Sequence, residues 1–126
     1  DGIIFHRVIK GFMIQGGGFT AKGGVKSTYP PIILESNKGL SNMEGTIAMA
    51  RDDNPNSATD QFFINTANNT YLDYNPPKTA GYAAFGKVTA GMDVVRAIES
   101  VEVGTRAIYA NWPLEDVTII RAYMKK

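Results

Sequence analysis

Arg7 is the residue whose chemistry stands out, and Gln15 is its natural companion. The stretch from Phe5 to Phe19 reads FHRVIKGFMIQGGGF, two strand-like runs joined by a tight Lys10-Gly11 turn and followed by a glycine run. Side chains alternate along a strand, so Phe5, Arg7 and Ile9 are expected on one face and His6 and Val8 on the other. Arginine rarely sits on an apolar face unless something pairs with it. The hairpin can bring Gln15, which shares a face with Met13, across from Arg7. That sets a permanent cation and an amide beside Phe12 and Met13. A guanidinium is a rigid fork of donors that keeps its proton. The chemistry on offer is electrostatic stabilisation by hydrogen bonding.

Other chemistries find little support. The chain has no cysteine, which removes disulfides, thiolate chemistry and cysteine-zinc sites. His6 is the only histidine. Triads and histidine metal clusters need more partners than it has. It is expected to be structural and to face away from Arg7. Asp52-Asp53-Asn54-Pro55-Asn56 hints at a calcium loop, but the twelfth position is Phe63 rather than glutamate, and a proline interrupts it. Gly16 to Ala21 fits a loose dinucleotide pattern without the helix that should follow. Asn68-Asn69-Thr70 is a glycosylation acceptor only in a secreted eukaryotic protein. No metal or other cofactor is implied.

The 126 residues allow one domain, read as 1–126, and 44% hydrophobic content is ordinary for a globular chain. A net charge of +1 gives no basic surplus for nucleic acid. No apolar run approaches the ~18 residues of a membrane span.

These residues need elements to position them. Strands are expected over 3–9, 12–15, 45–50, 61–65, 82–88 and 117–123, with a further short one possible over 32–34. Gly16-Gly17-Gly18 is expected to end the second strand. Met92, Val95 and Ile98 have helical spacing, so the one helix is placed over 92–100. Residues 19–31, 51–59, 66–81 and 102–113 read as loops. Many short strands with one helix indicate a mainly β barrel or sandwich.

Four ordered blocks carry a family resemblance. They are Phe5-His6-Arg7 with Gly11 to Gly17, then Gly45 to Arg51 with Asn56 to Asn65, then Tyr71-Leu72-Asp73, and finally Phe85 to Val88 with Gly91 to Val95. Together they resemble the cyclophilins, the peptidyl-prolyl cis-trans isomerases, over nearly the whole chain. Arg51 and the triple glycine look more like bacterial members. The resemblance implies an antiparallel β-barrel of eight strands capped by helices, in the cytoplasm or periplasm of a bacterium. Six strands and one helix are expected here, and two strands and a helix of the family's front end would precede Asp1. By typical element and loop lengths that front end is on the order of forty residues. The chain is therefore expected to be N-terminally incomplete.

The resemblance also implies a role for each site residue. A peptide bond resists rotation by about 18–20 kcal/mol because of amide resonance, and prolyl bonds exchange slowly between two populated isomers. Arg7 would be catalytic, stabilising the twisted bond whose nitrogen regains its lone pair. Gln15 would orient Arg7 and hold a substrate carbonyl. Phe12, Met13, Phe63 and Leu72 would seat the proline ring. Phe63 is the clearest of these, because Phe62 and Phe63 must point to opposite faces. Ala50 and Arg51, through main-chain groups, and Gln61 would pair with the substrate backbone. Tyr82 would close the pocket by hydrogen bonding. The partners implied are proline-containing segments of client proteins. Cyclosporin is a possible ligand, weakened because Tyr71 stands where many animal members carry tryptophan. The chain is read as an isomerase, because it keeps both the arginine and the aromatic floor; the alternatives are a module that captures proline segments without turnover and an inactive or exchanged fragment whose strand edges pair elsewhere.

Overall fold

β-branched and aromatic residues favour extended backbone, and IIFHRVI at Ile3–Ile9 forms strand β1. In the computed structural model, which describes residues 1–125, β1 turns at Lys10–Phe12 and returns as β2 (Met13–Thr20). Gly11 turns the chain with φ 76°, a left-handed conformation open to glycine. β3 (Thr46–Met49), β4 (Phe62–Asn65), β5 (Ala84–Lys87) and β8 (Thr118–Ile119) complete an antiparallel six-stranded sheet in the order β5-β3-β4-β2-β1-β8. Its edges are β5 and β8. Helix α1 spans Met92–Glu99 and follows Gly91 at φ 90°. β6 (Val103–Arg106) and β7 (Tyr109–Pro113) form a separate hairpin that packs on β1. Among the described residues no helix is long and apolar enough to cross a membrane.

The sheet separates two apolar layers. On one face Phe5, Val8 and Ile14 pack with Phe62, Val95 of α1 and Ile98. On the other, Met13, Ala48, Phe63 and Ala84 form a second cluster, joined at its edge by Ile9, Phe12, Leu72 and Tyr82. Ile4, Phe19 and Trp112 form a third under the β6–β7 hairpin.

Several expectations need correction. The fold is mainly β with one helix, but it has eight strands among the described residues rather than six. Residues 102–113 are the β6–β7 hairpin, not a loop. The glycine run does not end β2, which continues to Thr20. Those glycines serve close approach: a Cβ on Gly16 would lie 2.8 Å from the Ile4 carbonyl oxygen, and one on Gly17 would strike the Asp60 carbonyl. Residues 32–34 make only a bridge, Ile32 to Ala58, because Pro30-Pro31 removes the donors a strand needs. The closing strand is confined to Thr118–Ile119.

The largest correction concerns β1. Phe5 pairs with Gly16 but Arg7 pairs with Gln15, so two residues of β1 oppose one of β2. His6 is the extra residue of a β-bulge. The bulge reverses the alternation, so Phe5 and Arg7 lie on opposite faces. Phe5 joins Val8 and Ile14 in the first layer, and Arg7 stays with Ile9 and Met13 on the other side. The apparent oddity of an arginine beside Phe5 on an apolar face disappears.

Candidate active site

The β1–β2 pairing sets Arg7 opposite Gln15, and the β2–β4 pairing sets Gln15 opposite Phe63. Directly opposed residues share a face. A polar row results. Arg7 Nη1 donates to Gln15 Oε1 at 3.1 Å, and Gln15 Nε2 donates to Gln61 Oε1 at 2.9 Å. The Gln15 amide is thus held at both ends, and the Gln61 amide nitrogen keeps its donors for another partner. None of the ion pairs among the described residues includes Arg7. Its charge is steered by an amide and not neutralised by a carboxylate.

Beside this row lies the second apolar cluster. Phe63 stands edge-on to Tyr82 with ring centroids 5.7 Å apart, and Phe62 points the other way onto Phe5 at 5.9 Å. A cavity of about 460 Å³ brings together Arg7, Gln15 and Gln61 with Met13, Phe63 and Tyr82, and Ala50 and Arg51 also line it. Phe12 and Leu72 are not in its wall. They pack half-buried against the Met13–Phe63 cluster. Tyr71 is exposed and stacks on Phe12 at 6.3 Å.

Ala50 and Arg51 extend the chain past the end of β3. The Ala50 N–H is already committed to the Gln61 carbonyl at 2.9 Å. The Arg51 guanidinium is engaged as well, donating to the Gly81 carbonyl at 2.8 and 3.2 Å and lying 4.5 Å from the Tyr82 ring centroid. It braces Tyr82. What remains for a ligand at this position is main chain.

A buried asparagine network fixes the backbone that carries the slot. Asn42, Asn65 and Asn69 are all buried. Asn69 Nδ2 donates to the Phe12 carbonyl at 2.9 Å and to Asn65 Oδ1 at 2.8 Å. Asn65 Nδ2 donates to Asn42 Oδ1 at 3.1 Å and Thr46 Oγ1 at 2.9 Å. Asn42 Nδ2 points at the Tyr82 carbonyl and at Asp73 Oδ1, 3.2 and 3.0 Å away. Burial alone would raise the Asp73 carboxyl, but hydrogen bonds from Ser41 and Asn42 outweigh it and hold the group below its ordinary value. On the far side, Glu99 at the end of α1 accepts the Gly11 N–H at 2.9 Å and Arg96 Nη1 at 3.0 Å. Burial raises Glu99 too, and again the hydrogen bonds prevail and lower it. The turn between Arg7 and Gln15 is thereby tied to the helix.

His6 does not face away from Arg7. The bulge places it in the wall of the same cavity, with its ring 4.6 Å from that of Phe19 and 5.6 Å from that of Trp112. Burial, reinforced by the Arg7 charge and opposed by Asp60, lowers its pKa to about 4. Near neutral pH it is an uncharged neighbour of Arg7.

The cavity has a further wall that the sequence did not reveal. Ile108 to Asn111, at the tip of the β6–β7 hairpin, close it on the side of Phe19. The available signal was the pairing of Tyr109 and Trp112 in a stretch otherwise read as loop.

Residues 1–124 match the family described as cyclophilin type peptidyl-prolyl cis-trans isomerase/CLD. The chain belongs to this family. A peptidyl-prolyl cis-trans isomerase of Acinetobacter baylyi is 52% identical over 126 residues, covering 99% of this chain and 66% of that protein. One from Streptomyces antibioticus is 50% identical over 121 residues, covering 94% of this chain and 73% of its own. Peptidyl-prolyl cis-trans isomerase B of Escherichia coli is 49% identical over 118 residues, with 92% and 72% covered. The chain thus spans about two thirds of the length of the Acinetobacter protein. The mainly β, antiparallel fold with one helix is that of a cyclophilin-like barrel. Cyclophilin-type isomerases act on proline-containing peptide segments.

Proposed function

We propose that this cyclophilin-type chain accelerates rotation about Xaa-Pro peptide bonds in extended segments of client proteins. The observation that carries the reading is the row Arg7–Gln15–Gln61 beside the Met13–Phe63 slot. When the bond twists, amide resonance is lost and the prolyl nitrogen regains a lone pair. An arginine N–H directed at that nitrogen stabilises the twisted state more than either planar isomer, which is the condition for catalysis. Lowering the barrier by about 5 kcal/mol gives roughly 10³–10⁴ in rate. The proline ring sits against Met13 and Phe63, backed by Phe12 and Leu72. Gln61 and the second N–H group of Arg7 hold carbonyls on either side of the bond. The peptide lies along the main chain at Ala50 and Arg51 like an added strand, and Tyr82 closes the slot.

Cyclosporin binds weakly in this reading, because Tyr71 occupies the position of the tryptophan that holds the drug in animal relatives. The test of the main reading is isomerase turnover on a short Ala-Pro-Phe peptide, for the chain and for Arg7→Ala. Fast turnover that falls with the substitution supports it. A folded chain that binds the peptide without turnover would make it a capture module instead.

A further inference from the structure

We propose that the tip of the β6–β7 hairpin is a specificity wall that selects a bulky apolar residue next to the proline. This inference rests on the isomerase reading and says which substrates the same site prefers. Along β2 the site has two apolar ends. Met13 lies in the proline slot, Gln15 in the polar row, and Phe19 in the separate cluster with Ile4 and Trp112. Met13 and Phe19 are six residues apart on β2, on the order of 13–20 Å once the strand's irregularity between Gly16 and Thr20 is counted. That length exceeds what a proline ring occupies. A peptide whose reacting bond lies over Arg7, with its ring in the slot, has a residue flanking the proline within reach of the second end, because Phe19 and the hairpin line the same cavity as Arg7.

Over that end stands the hairpin. Tyr109 packs on Phe19 at 5.4 Å and on Trp112 at 5.6 Å between ring centroids. Arg106 anchors the hairpin by donating to the Lys22 carbonyl at 2.7 Å and lies 5.2 Å from the Trp112 ring centroid. The base is thus fixed and Tyr109 packs on it, but Ile108 at the tip is not used by the fold. Ile108 is 88% exposed, although it lines the same cavity as Arg7 and Gln61. The turn itself is unfavourable. Arg106 pairs with Tyr109, leaving Ala107 and Ile108 as a two-residue loop. Ala107 takes φ 52°, where hairpins ordinarily use glycine or asparagine. A strained turn that leaves an isoleucine uncovered beside a reactive arginine is poor for stability alone, and strain of this kind gathers at ligand-binding sites. The exposed edges of Ile108 and Tyr109 offer an apolar contact for a leucine- or phenylalanine-sized side chain.

The experiment measures kcat/KM for two sets of peptides, one varying the residue before the proline and one the residue after it, each with phenylalanine, leucine, alanine and glutamate. The full chain is compared with Ile108→Ser and Tyr109→Leu, each checked by thermal melting. In one of the two sets, the full chain prefers the bulky apolar residue over alanine. The variants reduce that preference by roughly tenfold, the scale of one hydrophobic subsite. A merely structural role would lower every peptide's rate together and leave the ratios unchanged. Ratios that do not move in either variant overturn the inference and leave the isomerase reading standing. Absence of turnover by the full chain on every peptide overturns both.

Discussion

Replacing Arg7 with alanine tests its proposed catalytic role apart from folding, because the structure gives this side chain few structural duties. It is half-buried, takes part in no ion pair among the described residues, and makes one side-chain hydrogen bond, to Gln15 at 3.1 Å. Losing that bond costs about 1 kcal/mol, or a melting shift of roughly 3–6 °C for a chain of this size. In the proposed mechanism Arg7 also aims a donor at the twisting bond, and losing such a donor costs about 10²–10³ in kcat, which is ~3–4 kcal/mol of barrier. Arg7→Ala is therefore expected to remain folded at 25 °C with turnover reduced at least a hundredfold. Arg7→Lys keeps the charge and loses the planar fork, and should fall between the two. The pH profile adds an independent constraint. Arginine does not titrate in the working range, and neighbouring His6, lowered to about 4, stays neutral above pH 5. The wild-type rate should be flat from pH 6 to 8. The assay is protease-coupled or exchange-NMR turnover on an Ala-Pro-Phe peptide, with circular dichroism on the same samples. A bell-shaped profile in that range, or Arg7→Ala within threefold of wild type, would refute the reasoning.

Other consequences concern stability. His6 binds a proton more weakly folded, at about 4, than unfolded, at 6.5, so protonation favours the unfolded chain. Stability should be constant above pH 6.5 and fall by up to about 3 kcal/mol on the way down to pH 4. A urea midpoint unchanged between pH 7 and 4.5 would contradict this. Asp73 and Glu99, lowered by their hydrogen bonds, add a separate loss only as pH falls below their ordinary values of 3.8 and 4.5. Asn65→Leu strands the buried partners Asn42, Thr46 and Asn69, and should cost at least about 2 kcal/mol in chemical denaturation and raise KM for peptide. An unchanged melting curve would show the network to be dispensable. Gly17→Ala meets both φ 100° and the Asp60 carbonyl, so a loss above about 2 kcal/mol is expected. Wild-type stability in that variant would mean the β2–β4 approach can relax.

What could be read from the sequence depended on how local its cause was. The approach of Gln15 to Arg7 follows from a short hairpin with a glycine turn, and the opposite directions of Phe62 and Phe63 follow from alternation alone. The helix at Met92–Glu99 was announced by its spacing. The bulge at His6 was not legible, because it depends on how Gly16 and Gly17 let β1 and β4 approach β2. The β6–β7 hairpin was hidden because Ala107-Ile108 carries none of the usual turn residues. The asparagine network joins positions 42, 65 and 69 from three separate segments, and no spacing rule connects them.

The bulge also determines how β1 responds to a change in length. Losing one residue from a strand normally exchanges its faces and is more disruptive than most substitutions. At His6 the opposite holds. Deleting it would let Phe5 stay opposite Gly16 and Arg7 opposite Gln15, since His6 is the residue without a counterpart on β2. The same deletion at Val8 would carry Arg7 to the wrong side. β1 therefore has one position where a codon can be lost with its two faces preserved, and that position adjoins the guanidinium.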